Sequence, residues 1–172
     1  DSKLLADRHH RLKEVAKILA ENARRNAEKH AYFNPITGEG STFAKERVRV
    51  EIKDFPIPVM YLPKETMEVP FVKKLVKAGT VEKFFEKDVA PEYEKKGIHY
   101  EYCEDEKQKI IEQFVRIRIQ DDFPFWSAFL VYIKNKGGGE DVLFRLNRPQ
   151  RRLVERLERK RKAGLPIRLV LL

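Results

Sequence analysis

The chain has 172 residues, 42% of them hydrophobic and 37% charged, enough for one ordinary domain or two small ones. That balance allows a buried core and excludes a wholly disordered chain, and no apolar run approaches the roughly 20 residues that a bilayer-spanning helix needs. A formal net charge of +9 points to an anionic partner, while a lone cysteine, Cys103, excludes an internal disulfide and suits a reducing cytoplasm.

Ser2 is placed to cap a first helix running to about His30, with Leu5, Leu12, Ala16, Leu19 and Ala23 on one stripe. Asn34-Pro35 and the Gly38 to Ser41 stretch break it, reading as a turn and a linker. Val48, Val50 and Ile52 alternate with Arg47, Arg49, Glu51 and Lys53, the period-two pattern of a strand with one wet face. Pro56, Pro58 and Pro63 then keep the chain extended and unsuited to a sheet interior.

Pro70 fits a helix's first turn, with Phe71, Val72, Leu75 and Val76 on one face and Gly79 as the stop. Thr80 caps a second short helix carrying Val81, Phe84 and Phe85 and broken near Pro91. Another begins at about Asp105 and places Ile110, Ile111, Phe114 and Val115 at core spacing. Asp122 caps a helix with Pro124 in its first turn and Trp126, Phe129, Leu130 and Ile133 facing inward. Gly137-Gly138-Gly139 forms a loop, and Val142 to Leu146 a short extended piece. Asn147 caps a basic helix with Pro149 in its first turn, and Gly164 ends it. Leu165 to Leu172 is almost continuously apolar, the pattern of a strand buried on both faces of a parallel sheet. Together these elements predict an α+β fold, mostly helical, with seams in the Gly38–Ser41 linker and at the triple glycine.

Most of the excess charge lies between Arg145 and Lys162, where Arg148, Arg151, Arg152, Arg156, Arg159, Lys160 and Arg161 face only Glu155 and Glu158. This helix could track nucleic-acid phosphates, or it could be a solvated face carrying Glu155–Arg159 and Glu158–Lys162 pairs. His99 and Cys103 stand at a spacing that can hold a metal, yet no third ligand accompanies them. Trp126, Phe125 and Phe129 could stack on bases, but their helical spacing favours core packing. The first helix either packs on its own domain or docks on a partner.

The order from Asp122 onward carries more information. An aromatic helix start, Asp122-Phe123-Pro124-Phe125-Trp126, leads through Tyr132-Ile133 to Phe144-Arg145-Leu146-Asn147. Pro149-Gln150-Arg151 follows at a helix start, then the glycine exit and the apolar run. This closely resembles the segment that precedes the phosphate loop in large terminase subunits of tailed phages and prophages, and the likeness covers about the last third of the chain. The two seams divide the chain into 1–40, an N-terminal helical arm and linker, 41–136, a mostly helical region with one short strand, and 137–172, which the resemblance implies is the start of a P-loop (ASCE-type) ATPase domain with its adenine segment and opening core strand. The resemblance also implies that Gln150 reads the adenine edge of ATP, flanked by Arg148, Pro149 and Arg151 near the nucleotide.

A primary amide offers the donor and acceptor such a contact requires, and the stripe shared with Leu146, Leu153 and Leu157 points Gln150 toward the core side. The other reading makes Gln150 a helix-start residue satisfying backbone groups. By resemblance the parent uses ATP and magnesium to drive double-stranded DNA into a capsid, with a portal protein and a small terminase subunit, in the bacterial host cytoplasm. No Gly-x-x-x-x-Gly-Lys-[Ser/Thr] occurs from Asp1 to Leu172, so this stretch alone is expected to bind no cofactor and hydrolyse no ATP. Self-association through the apolar run is a further expectation, and membrane contact is not expected. The alternatives are a non-enzymatic basic nucleic-acid-binding module and a structural docking protein acting through the first helix.

Overall fold

The computed structural model describes Leu19 and residues 33–40, 47–134, 137–139, 141–144 and 146–167. Its elements in order are strands β1 (Arg47–Glu51) and β2 (Val59–Pro63), helices α1 (Lys64–Glu68), α2 (Pro70–Ala78), α3 (Val81–Phe84), α4 (Ala90–Glu94), α5 (Glu104–Asp121) and α6 (Phe123–Leu130), strands β3 (Tyr132–Ile133) and β4 (Val142–Leu143), and helix α7 (Arg148–Lys162). The fold is α+β and mostly helical, with two small antiparallel two-stranded sheets. Among the described residues no helix is long and apolar enough to cross a membrane.

β1 and β2 form a hairpin in which Val50 faces Met60 and Val48 faces Leu62. The prolines flank or end β2 and never have to donate inside a wider sheet, which is why so Pro-rich a segment still pairs. The alternation expected of β1 holds for Val50 and Ile52, which are buried, but not at its start. Val48 is exposed, while the Arg47 side chain is only 5% exposed. Arg47 is drawn in by a buried carboxylate, described below.

The first helix lies outside the described residues except for Leu19, which is helical and buried in the core. The turn that follows belongs to the same body. Asn34 Oδ1 accepts from the backbone of Ile36 at 2.9 Å, Ile36 is fully buried, and Tyr61 N donates to Thr37 O at 2.7 Å.

α2 begins at Pro70 and stops at Gly79, which is left-handed at φ 75°. Thr80 caps α3 by accepting from Lys83 N at 3.1 Å, and the Asp54 carboxylate accepts from Val81 N and Glu82 N beside it. The break expected near Pro91 does not occur. Phe85–Val89 forms a π-helical turn that carries the chain into α4, with Pro91 in its first turn. The wider turn takes the backbone past a ring that would collide with a carbonyl of a regular helix.

The core lies between the hairpin, α2, α3, α5 and α6. Val72, Leu75, Ile111, Val115, Phe125 and Phe129 are completely buried, each worth about 1.5–3 kcal/mol on removal from water. Phe55 meets Phe114 edge to face at 5.0 Å. In α6 the inward residues are Phe125, Ala128 and Phe129 rather than the expected Trp126 and Ile133; Trp126 is half-buried and Ile133 is 45% exposed. The Asp122 cap sets this phase, turning positions 125 and 129 inward one turn apart.

The triple glycine lies between β3 and β4. Beyond α7, Leu165 to Ile167 forms no strand, and Leu165 and Ile167 are 55% and 49% exposed. Those residues therefore depart from the expected buried parallel strand, because no neighbouring strand or covering helix lies against them among the described residues. Positions 168–172 lie outside the described residues.

Candidate functional site: the start of the basic helix

Asn147 stands in extended conformation ahead of α7 and closes a capping box. Its Oδ1 accepts from Gln150 N at 2.9 Å, and Gln150 Oε1 accepts from Asn147 N at 2.9 Å. Pro149 occupies the first turn, where no intrahelical donor is needed. Gln150 is exposed, so it does not join the apolar side with Leu146 and Leu157 as its stripe suggested. The reciprocal cap turns the third helical residue back over the helix start and out toward solvent.

The amide still retains recognition capacity. Its oxygen has a second lone pair, and among the described residues its nitrogen donates to no protein group. Arg148 opens the helix, and its side chain lies outside what the structure describes. Arg151 turns inward: it is 5% exposed and its guanidinium lies over the Phe33 ring at 5.4 Å. The structure thus brings Pro149 and Gln150 to the surface together and packs Arg151 beneath them.

Phe33 links this helix start to a buried ion network. The Arg47 guanidinium lies 5.7 Å from the same ring and grips Asp122 with two hydrogen bonds of 2.8 Å, Nη1 to Oδ2 and Nη2 to Oδ1. Arg118 Nε donates to Asp122 Oδ2 at 2.9 Å, Arg118 Nη1 donates to Ile36 O at 2.7 Å, and its guanidinium stacks 3.9 Å over Phe125. Burial alone would raise the Asp122 pKa, but the charges and hydrogen bonds of Arg47 and Arg118 outweigh it and hold the carboxyl at about 2. Burial pulls the Arg118 pKa down against the attraction of Asp122. The Asp122 carboxylate and the Arg118 guanidinium remain charged at neutral pH.

Sequence reasoning identified Asp122 as a helix cap, and it does accept from Phe125 N at 3.4 Å. The network itself was missed, although a signal was present. Arg118 falls four residues after Phe114 on the buried stripe of α5 and four before Asp122, and a cation at a core position needs a charged partner.

The basic helix separates its charges by face. Glu155 pairs with Arg159 as the spacing predicts, whereas Glu158 pairs with Arg161 at 2.7 Å and Lys162 reaches Glu65 of α1 at 2.7 Å. Lys162 is captured by α1 because the helix end lies beside it, leaving Glu158 to the cation three residues on. Arg152, Arg156 and Lys160 are exposed on the outer side. Cys103 is exposed and precedes α5, and among the described residues no group of three or more side chains could hold a metal. Compared with known proteins, the chain matches no family model, no curated protein and no solved structure.

Proposed function

We propose that this chain is the N-terminal part of a phage large terminase, the ATP-driven motor that moves double-stranded DNA into a capsid. In this reading the helix start at Asn147–Arg151 is the adenine-reading segment of a P-loop ATPase domain. The observation that carries the reading is the capping box that presents the Gln150 amide to solvent at a fixed helix start. A rigid, outward amide with one lone pair and its N–H donors available can pair with the amino group and ring nitrogen of adenine. Arg151, packed on Phe33, positions that helix start. In this reading the apolar segment after Gly164 leads on toward the phosphate loop. ATP and magnesium are the cofactors this reading requires, and a portal protein and a small terminase subunit are its partners.

The test uses the protein extended past Leu172 as the source gene encodes it. Gln150→Ala should raise the KM for ATP and weaken discrimination against GTP by about 5- to 150-fold, the equivalent of losing a paired polar contact of about 1–3 kcal/mol. Unchanged kinetics with both nucleotides would return Gln150 to a capping role alone. Codons after Leu172 that encode no Gly-rich Lys-Ser/Thr loop would overturn the whole reading.

A further inference from the structure

We infer that the outer face of α7 is a docking surface for the phosphate backbone of duplex DNA, with Arg152, Arg156 and Lys160 as its contacts. The side chains are exposed, and among the described residues none of them forms a hydrogen bond or ion pair with the protein. They recur at every fourth position, so they lie in one row along the helix, spanning about 12 Å at ~1.5 Å per residue. A duplex presents a phosphate roughly every 3.4 Å of axis on each strand, so such a row can meet several phosphates at once.

Segregation of charge separates this surface from an ordinary solvated helix. Both acids of α7 are committed elsewhere: Glu155 holds Arg159 and is 14% exposed, and Glu158 holds Arg161 and is 36% exposed. The third peripheral cation, Lys162, is spent on Glu65 of α1. A face built only for solubility intersperses both signs, whereas here the carboxylates are drawn off the outer row and leave it purely cationic. An acidic protein partner would call for a buried apolar anchor, and the only large apolar side chain exposed on α7 among the described residues is Leu153, at 37%. Planar guanidiniums suit phosphate oxygens, and a regular row suits a repeating polyanion read without regard to sequence.

The choice of DNA as the polyanion rests on the packaging reading, but the test consumes no ATP. Binding of a fluorescent mixed-sequence duplex to the whole chain is measured by anisotropy across a salt series. It is repeated with Arg152→Gln/Arg156→Gln/Lys160→Gln and with a charge-matched control, Lys77→Gln/Lys83→Gln/Lys87→Gln. The row variant should bind at least ~10-fold more weakly near 0.1 M salt, and its log–log salt slope should be shallower by roughly 2–3, at about 0.9 per phosphate. The control should move by only a few-fold, and the conservative Arg152→Lys/Arg156→Lys should restore most of the binding.

Equal losses in the two triple variants would overturn the surface, since net charge would then explain the affinity. So would absence of duplex binding by the parent chain, or displacement of the duplex by poly-glutamate at equal charge concentration, which would mark an acidic-protein site. Far-ultraviolet circular dichroism checks that each variant folds; a row variant that loses its helix is replaced by the single changes, whose losses should sum. Should the codons after Leu172 encode no Gly-rich Lys-Ser/Thr loop while the row still binds duplex, the packaging reading falls and the surface stands. The reverse outcome removes the surface alone.

Discussion

At Asp122 a single buried carboxylate serves Arg47, Arg118 and the start of α6 together. Removing one member of such a set leaves the others charged and dry, which costs far more than an exposed pair would. Asp122→Asn should therefore destabilise the fold by about 3–5 kcal/mol, measured by urea unfolding at pH 7. The pH dependence carries a definite sign. The folded pKa, about 2, lies below the ordinary 3.8, so the carboxylate contributes stability above the unfolded value and loses it as pH falls through the folded one. That contribution is roughly 2 kcal/mol and should fade from about pH 5 toward pH 2. The Asn variant should show a flatter acid limb by up to one proton over that window. Parallel limbs for the two proteins would mean that other carboxylates, not Asp122, set acid stability.

Elements whose start and stop signals are local were readable from the residues alone. Pro70 and Gly79 bound α2, Thr80 caps α3, and Asn147 and Gly164 frame α7 because each acts on its own backbone within a turn or so. What depended on distant partners was not readable. Whether Arg47 faces water is decided by Asp122, 75 positions away, and whether Leu165 to Ile167 forms a strand depends on neighbours that only a complete sheet supplies. Gln150 was a conflict between an apolar stripe and a cap, and the cap prevailed because its two hydrogen bonds are local. Glycines show the same division between local and distant causes. Gly79 and Gly38 share a left-handed φ, 75° and 76°, but a Cβ on Gly79 meets nothing within 4 Å, while one on Gly38 would sit 2.1 Å from Tyr61 O. Gly79→Ala should cost about 1–2 kcal/mol, the left-handed penalty alone. Gly38→Ala must also push the turn off β2, breaking the bond from Tyr61 N to Thr37 O, and should cost clearly more, with a larger drop in the urea midpoint. Equal midpoints would show that the turn yields freely.

The molecule as a whole has an interior and an outrigger. α5 buries Ile110, Ile111, Phe114, Val115, Ile117 and Arg118, whereas α7 buries only Arg151 among its described side chains. α7 is held at one end by Arg151 on Phe33 and at the other by Lys162 on Glu65, with a cleft of about 60 Å³ between it and a wall formed by Pro63, Phe123 and Pro124. The Lys162–Glu65 pair is well exposed on both sides, so it contributes little. Local opening follows buried apolar contact rather than helix length. Hydrogen exchange should therefore find the amides of α5 from Ile111 to Ile117 opening only with global unfolding, and those of α7 opening at a free energy lower by at least ~2 kcal/mol. Arg151→Ala should speed exchange along α7 and leave α5 nearly unchanged, because the lost contact lies at the attachment point and outside the apolar core. Exchange in α7 as slow as in α5 would show that this helix shares the core's stability. Rapid exchange that slows on adding duplex DNA would instead tie the loosely held helix to its cationic outer face, since a ligand that binds only the closed helix lowers the population of open forms by mass action.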